Sequence, residues 1–153
     1  MEDKSSRLKV GIDLDDTITY CPSFFSMMTK AMKDMVEIHI ITNREQTPES
    51  EAGIREELDE LGICYHHLVV TGNKAEYILE KGITVYFDDT DEYFLNLPES
   101  VTVFKIREPW NFDFENHKWR YNEKTGHNQT THLGCGDIEK MIIEVKTNDY
   151  QRR

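Results

Sequence analysis

The stretch LKVGIDLDDT, Leu8–Thr17, joins a short apolar segment directly to a cluster of acidic residues. Its first half is rich in β-branched and aliphatic residues, which favours a buried strand. Three later segments have the same character: VEIHIIT at Val36–Thr42, HLVVT at His67–Thr71 and ITVYF at Ile83–Phe87. A further segment, VTVFKI at Val101–Ile106, follows a Pro98 turn. All five segments are predicted to be strands, the first of them running from Leu8 to Asp13.

Helical signals lie between these strands. Pro22 stands before SFFSMMTKAMKDM, Thr47-Pro48 precedes a charged run that ends at Gly62, and Asn73 precedes KAEYILEKG. Strands that alternate with helices indicate right-handed βαβ units and a parallel sheet. The chain is therefore predicted to have an α/β fold of three layers, a Rossmann-like parallel sheet with helices on both faces.

The composition is that of an ordinary globular protein, with 38% hydrophobic and 31% charged residues in 153 positions. A single domain, 1–153, is expected, with its core at about 8–106. The net charge of −11 argues against duplex nucleic acid as a partner. No apolar run approaches the roughly 20 residues of a membrane helix, and Met1–Lys9 is polar, so a cytoplasmic protein without a membrane partner is expected.

The chain after the fifth strand has a different pattern. The aromatic-rich segment Pro109–His127 predicts an irregular or hairpin excursion, and Asp137–Val145 has helical spacing. Its aromatic residues could stack on a nucleobase, although packing at a sheet edge is favoured for alternating aromatics. His127, His132 and Cys135 lie close in sequence, but a fourth ligand with suitable spacing is absent, so no zinc site is predicted.

Polar residues stand where four of the predicted strands end. They are Asp13, Asp15, Asp16 and Thr17 after the first strand, Thr42-Asn43-Arg44 after the second, Lys74 shortly after the third and Asp88-Asp89 after the fourth. Taken singly, an acidic loop, a helix cap or a solvated lysine would explain the first three groups. Two adjacent acids after a buried strand have no such explanation, because like charges repel and at least one must be desolvated. Ligands bind at this edge of open α/β sheets.

The order of these groups resembles the four motifs of the haloacid dehalogenase-like superfamily of hydrolases. Asp13-x-Asp15-x-Thr17, Thr42, Lys74 and Asp88-Asp89 match in sequence, each behind the expected strand, over roughly residues 8–106. Receiver domains of two-component signalling have similar groups, but their acidic pair comes first in the chain. The resemblance implies the strand order 3-2-1-4-5 and a phosphate monoester hydrolase that depends on Mg²⁺.

The resemblance also implies a role for each residue. Asp13 would attack phosphorus and form an aspartyl-phosphate, and Asp15 would act as general acid and then base. Thr42 and Lys74 would bind the phosphoryl group, and Asn43 and Arg44 are further candidates for substrate contact. Four residues would provide the metal ligands: Asp13, Asp15 through its backbone carbonyl, Asp88 and Asp89, with Asp89 favoured over Asp88 as the direct ligand.

The short connections between motifs leave no room for an inserted cap domain. About one helix and one strand fill the gap between Thr17 and Thr42, and the same holds between Lys74 and Asp88. Capless members have open sites that accept large substrates, or use a second copy of the chain as a lid. The motifs IITNR and FDD have some resemblance to 5'(3')-deoxyribonucleotidases, which makes a nucleotide, a nucleic-acid end or a small phosphorylated molecule the expected substrate. Those nucleotidases have a helical cap, which this chain lacks.

Two other functions stay open at this point. A phosphate-binding or regulatory domain would keep the fold without turnover, although it would have no physical reason to retain both Asp13 and Asp15. A phosphotransferase would use the same Asp13 and pass the phosphoryl group to an alcohol instead of water.

Overall fold

Five parallel strands form one sheet in the order β3-β2-β1-β4-β5, as expected from the sequence. The computed structural model describes residues 7–123 and the backbone of 127–128. The strands are β1 (Lys9–Ile12), β2 (Glu37–Thr42), β3 (His67–Val70), β4 (Val85–Asp88) and β5 (Thr102–Lys105). The observed strands are shorter than the predicted segments by up to two residues at an end, and β4 extends one residue further, to Asp88. The α/β class is thus confirmed.

The central strand β1 pairs with β2 on one side and β4 on the other. Gly11 faces His39 across one ladder and Tyr86 across the other. Both neighbours run parallel to β1, so the carboxyl ends of β1, β2 and β4 meet at one edge of the sheet. The chain turns from β2 outward to β3 and then returns past β1 to β4, which makes this edge a topological switch point.

Three helices connect the strands: α1 (Pro22–Met32), α2 (Pro48–Glu60) and α3 (Lys74–Lys81). Pro22 and Pro48 stand in the first turns of α1 and α2, where the missing N–H costs no hydrogen bond. The Thr47 side chain caps α2 by accepting from the backbone N–H of Ser50 at 3.1 Å. Gly82 ends α3 with a φ of 68°, a left-handed conformation that glycine adopts without strain.

The core lies in two hydrophobic clusters. The first joins Ile12 and Ile40 of the sheet to Phe25 of α1 and Leu58 of α2. The second joins Ile41 and Tyr86 of the sheet to Ile78 of α3. Adjacent residues of a strand point to opposite faces, so Ile40 and Ile41 place the two clusters on opposite faces of β2. Helices contribute residues to both clusters.

An irregular helical turn, Leu14–Ile18, follows β1 directly. Asp15 has extended backbone angles within it, and Asp16 has a φ of 59°. This left-handed conformation is strained for most residues and is less costly for Asp and Asn. Leu14 and Ile18 are fully buried, and they fix the turn to the core below the acidic residues.

The described residues fall into two compact units. One contains the residues up to Asp89 together with Tyr93–Ile106, and it holds the sheet and α1–α3. The other contains Thr90–Glu92 together with the residues from Arg107 onward. The expected single domain with a core at about 8–106 stays a prediction.

The second unit contains two short antiparallel pairs. Strand β6 (Phe112–Asp113) pairs with β7 (Lys118–Trp119), and β8 (Tyr121–Asn122) pairs with β9 (His127–Asn128). A hairpin was expected here, and its aromatic rings pack on one another: Phe112 makes edge contacts with Phe114 and Trp119. The predicted helix at Asp137–Val145 and the His127, His132 and Cys135 side chains lie outside the described residues. No helix within 7–123 is both long and apolar enough to cross a membrane.

Candidate functional site

Asp13 is the first residue after β1, and its carboxylate is buried at the switch point. Its side chain is only 4% exposed. The Thr17 hydroxyl donates to Asp13 Oδ2 at 2.9 Å, and the Lys74 ammonium lies 2.6 Å from Asp13 Oδ1. Both carboxylate oxygens are therefore held in fixed directions, one by the turn after β1 and the other by α3.

Lys74 begins α3 and points into the site rather than into solvent. It is 2% exposed, and its Nζ lies 2.6 Å from Asp13 and 2.9 Å from Asp88 Oδ2. The ring of Tyr93 packs against the same ammonium, with its centroid 4.1 Å from Nζ. Burial opposes the charged form, but the two carboxylates outweigh it, and the pKa of Lys74 is raised. Lys74 is thus a permanent buried cation between two acids.

Asp88 ends β4, and Asp89 follows it into the same buried region. Asp88 is fully buried and Asp89 is 4% exposed. The Tyr86 hydroxyl donates to Asp88 Oδ2, and the backbone N–H of Asp89 donates to Asp88 Oδ1 at 2.8 Å. Thr17 Oγ1 lies 3.4 Å from Asp89 Oδ1. Burial raises the pKa of Tyr86, and the adjacent Asp88 carboxylate raises it further, so the hydroxyl stays a donor.

Three carboxylates lie close together at this edge, and two of them contact the Lys74 ammonium. Ligand oxygens of Asp13, Asp88 and Asp89 lie within 4.8 Å of one another. Burial raises the pKa of Asp13 well above its ordinary value, and the negative charge of Asp88 raises it further, although Lys74 acts in the opposite direction. With all three acids ionised, two negative charges are not matched by Lys74. The cluster therefore has the charge and the oxygen donors for a hard divalent cation.

Asp15 lies at the same edge, but its carboxylate is not part of this cluster. Its carboxylate forms a bidentate pair with Arg44, with Nε 2.8 Å from Oδ2 and Nη2 2.6 Å from Oδ1. The Glu57 carboxylate of α2 holds the other side of the guanidinium, 2.6 Å from Nη1. The hydrogen bond from Arg44 lowers the pKa of Asp15, although partial burial opposes it. In this arrangement Asp15 is an anion, and half of its side chain is accessible to solvent.

Thr42 and Asn43 lie at the carboxyl end of β2, at the same edge as the other candidate residues. Thr42 is fully buried, with Oγ1 3.4 Å from Asp15 Oδ2. The Asn43 side-chain amide donates to the Tyr93 hydroxyl at 2.9 Å. Thr42 therefore lies beside Asp15, while Asn43 and Lys74 both contact Tyr93.

A second lysine lies near the acids, at the end of β5. Lys105 is the register partner of Asp88, and its pKa is lowered to about 7 because burial disfavours the ammonium and Asp89 offsets this only in part. Sequence reasoning did not select it, because a lysine at a strand end is ordinarily a solvated residue.

Every site residue selected from the sequence lies at one edge of the sheet, but not all of them converge. Asp13, Lys74, Asp88 and Asp89 share direct contacts or a common cluster. The Asp15 side chain is outside the carboxylate cluster, and Arg44 is engaged by acids. Sequence reasoning missed Tyr86, Tyr93 and Glu57. Only Tyr86 had a usable signal, because it stands two residues before Asp88 on one strand and so points to the same face.

The chain matches no family model, no curated protein and no solved structure with which it was compared. The functional assignment therefore depends on the residues themselves.

Proposed function

We propose that this chain is a Mg²⁺-dependent phosphohydrolase of the haloacid dehalogenase-like type, which cleaves phosphate monoesters through a phosphorylated Asp13. The main observation in favour is the buried set of three acids around Lys74 at the switch point of a parallel sheet. An ion pair between Lys74 and one acid, kept only for stability, would not require two further desolvated carboxylates beside it.

The connections between strands favour the capless, three-layer form of this fold. Only α1 and β2 lie between Thr17 and Thr42, and only α3 and β4 lie between Lys74 and Asp88. Helices contribute to both hydrophobic clusters, as a sheet covered on both faces requires. A site without a cap would stay open to large phosphate esters.

The acids fit Mg²⁺ by their chemistry. Asp13, Asp88 and Asp89 offer oxygen donors, which this cation prefers, and the backbone carbonyl of Asp15 is a fourth donor that the resemblance suggests. Burial and the neighbouring Asp88 charge raise the pKa of Asp13, so additional positive charge at the cluster would favour its ionised form. When bound, Mg²⁺ would supply that charge and reduce the repulsion between the carboxylates and a phosphoryl group.

In the first step, an Asp13 oxygen attacks phosphorus while the bond to the ester oxygen breaks. Thr17 and Lys74 hold the Asp13 carboxylate, which limits its rotation before the attack. Lys74 and Thr42 stabilise charge on the phosphoryl oxygens. The departing oxygen takes its proton from Asp15, so the products are an alcohol and phosphorylated Asp13.

In the second step, Asp15 accepts a proton from water, whose oxygen attacks phosphorus. The bond between phosphorus and Asp13 breaks, which releases inorganic phosphate and restores the carboxylate. The pairing with Arg44 keeps Asp15 anionic, as this base step requires. The preceding acid step requires a protonated Asp15, and it is favoured when the guanidinium leaves Asp15 for the negative substrate.

A cavity whose wall includes Gln46 and Thr47 has room for the organic part of a substrate. This cavity of about 630 Å³ is lined by residues at the start of α2 and along β3. Gln46 and Thr47 of its wall follow Arg44 closely in the chain. Its mixed apolar and polar lining accepts a bulky alcohol such as a nucleoside or a nucleic-acid end.

The test is hydrolysis of a phosphatase reporter ester, nucleoside monophosphates and 3'-phosphorylated oligonucleotides, with Mg²⁺ and with a chelator. We expect turnover only with Mg²⁺, and a loss on the order of a thousandfold in Asp13→Asn. Asp59→Asn, on the exposed surface of α2, is the matched control and should keep full activity. Acid-quenched enzyme should carry one phosphoryl group on the peptide that contains Asp13.

Other results would contradict the proposal in distinct ways. Equal turnover in wild type and Asp13→Asn would exclude Asp13 as nucleophile. Binding of inorganic phosphate without turnover of any ester would favour the phosphate-binding or regulatory role. Transfer to an added alcohol in preference to water would favour a phosphotransferase.

A further inference from the structure

We propose that Glu37, His39 and His67 form a second metal site, specific for a transition-metal ion such as Zn²⁺ or Ni²⁺. It lies at the amino ends of the strands, whereas the acids described above lie at the carboxyl ends. Glu37 begins β2 and Thr42 ends it, a separation of about 16 Å at roughly 3.3 Å per residue. This site does not depend on the proposed phosphohydrolase function.

The strand geometry brings the three side chains onto one face. Glu37 and His39 are two residues apart on β2, so they point to the same side. His67 begins β3 and is the register partner of His39. The two imidazole rings stack with their centroids 4.5 Å apart and an angle of 26° between their planes. Two ring nitrogens and a carboxylate oxygen therefore meet at the start of neighbouring strands.

The distances between donor atoms are close to those in a metal site. Glu37 Oε1 lies 2.8 Å from His39 Nε2 and 3.2 Å from His67 Nε2. Donor atoms of all three residues lie within 4.8 Å of one another. Ligands at about 2.0–2.1 Å in a tetrahedral zinc site stand roughly 3.3 Å apart, so small side-chain movements suffice for all three to bind one ion.

The second nitrogen of His39 has a partner typical of ligating histidines. Tyr77 of α3 places its hydroxyl 2.9 Å from His39 Nδ1. When an ion binds, the Nε2 lone pair would replace the hydrogen bond to Glu37, and the remaining ring proton on Nδ1 would be donated to Tyr77.

Solvent reaches the site, so an ion can enter. His67 is about half exposed, and a cavity of about 140 Å³ is lined by Glu37, His67 and two further residues, Arg7 and His66. The Lys9 ammonium lies 3.9 Å from Glu37 Oε1, but it also donates to the Lys81 carbonyl at 3.0 Å. A carboxylate and two imidazoles select Zn²⁺, Ni²⁺ or Cu²⁺ and disfavour Mg²⁺, and three protein ligands leave a position open for water.

The test is equilibrium binding of Zn²⁺ to the full chain, measured by competition with a chromogenic chelator in excess Mg²⁺ to occupy the acidic cluster. We expect His67→Gln and Glu37→Gln each to weaken one binding event at least tenfold. Tyr77→Phe should weaken it by roughly tenfold, the lower end of the effect of removing an outer-shell partner. The matched control His117→Gln, an exposed histidine of the second unit, should not change it. A Co²⁺ absorption spectrum that is altered in His67→Gln would identify imidazole ligation.

Two outcomes would overturn the proposal. Zn²⁺ binding that is equal in wild type, His67→Gln and Glu37→Gln would place the ion elsewhere on the chain, for example at His127, His132 and Cys135. Absence of binding tighter than that of Mg²⁺ would show that the three side chains form only an ion-pair network. Circular dichroism of each variant confirms that the fold is kept, and the exposure of His67 makes its substitution a mild one.

Discussion

The proposed chemistry and the stability of the fold place opposing requirements on Asp13. Attack on phosphorus needs an ionised carboxylate, while burial raises its pKa and thereby disfavours that form, and Asp88 adds to the effect. In the folded state Asp13 binds a proton more readily than in the unfolded chain. Between the two pKa values the folded protein therefore holds more protons, and its free energy of unfolding falls as pH rises.

The fall of the free energy of unfolding with rising pH leads to a prediction for Asp13→Asn. Without metal at pH 7, the variant should have a higher free energy of unfolding than wild type, because an amide at this position carries no buried charge. The difference should shrink as the pH is lowered, because wild-type Asp13 then takes up its proton. Urea denaturation in the presence of a chelator measures both values.

Asp59→Asn is the control for these measurements and should stay within about 0.5 kcal/mol of wild type, as is usual for exposed positions. A less stable Asp13→Asn protein at pH 7 would show that the contact with Lys74 outweighs the cost of the buried charge.

The sequence was sufficient to select Asp13, Lys74, Asp88 and Asp89, because each lies next to the end of a strand or the start of a helix. Such positions can be located from the predicted strands and helices without knowledge of tertiary contacts. The sequence also selected Arg44 as a candidate for substrate contact, but it did not indicate that the guanidinium contacts Asp15 and Glu57. Glu57 comes from the middle of α2, and no local pattern indicates which turn of a helix faces a given loop. The Tyr93 contact with Lys74 has the same origin in tertiary packing.

At the scale of single elements, β1 tolerates little change because its two neighbours approach closely. A Cβ atom at Gly11 would lie 3.0 Å from Ile41 Cδ1 and 3.0 Å from Tyr86 Cδ2. Both contacts are tighter than those of ordinary packing. Tyr86 donates to Asp88, so a displaced ring would disturb the acidic cluster as well.

We therefore expect Gly11→Ala to lower the free energy of unfolding by about 1–3 kcal/mol, the usual cost of overpacking. Gly53→Ala provides a matched comparison, since Gly53 lies within α2 and a Cβ there meets no atom within 4 Å. That variant should be more stable than wild type by about 0.5–1 kcal/mol. Thermal and urea unfolding of the two variants measure both signs. A neutral Gly11→Ala would mean that Ile41 and Tyr86 move aside at no cost.

Strand boundaries were predicted to within about two residues, and the reasons for the differences are local. Leu8 and Asp13 flank β1 in sequence but lie outside its observed bounds, Lys9–Ile12. Asp13 leaves the strand because the chain turns at once into Leu14–Ile18, whose angles at Asp15 and Asp16 no strand pattern indicates. The helix starts were more accurate, because Pro22, Thr47-Pro48 and Asn73 are strong local signals.

At the scale of the whole molecule, negative charge is in excess both overall and at the site. The chain has a net charge of −11, and three of its acids meet around Lys74. A cation that binds only the folded chain stabilises it, by about 2.7 kcal/mol at a hundredfold excess over its Kd. In a chain of this length that corresponds to a rise of roughly 5–10 °C in Tm.

Addition of Mg²⁺ should therefore raise the Tm of wild type by several degrees, and a chelator should reverse the rise. The rise should be much smaller in Asp89→Asn, which removes one of the three charges. Sodium chloride at equal ionic strength is the control, since any salt screens the repulsion of an acidic chain. Equal shifts with both salts would argue against a specific Mg²⁺ site. Differential scanning fluorimetry measures the Tm of wild type with Mg²⁺, with the chelator and with sodium chloride, and the Tm of Asp89→Asn with Mg²⁺.

The strand order has one more consequence, for self-association. Among residues 7–123, β3 and β5 are the outermost strands of the sheet, so one side of each pairs with no other described strand of this sheet. Each is only four residues long. A template this short offers few hydrogen bonds to an incoming chain, which limits edge-to-edge pairing into fibrils. The short length of these two strands thus limits aggregation of the sheet. The candidate site lies elsewhere, at the ends of the inner strands.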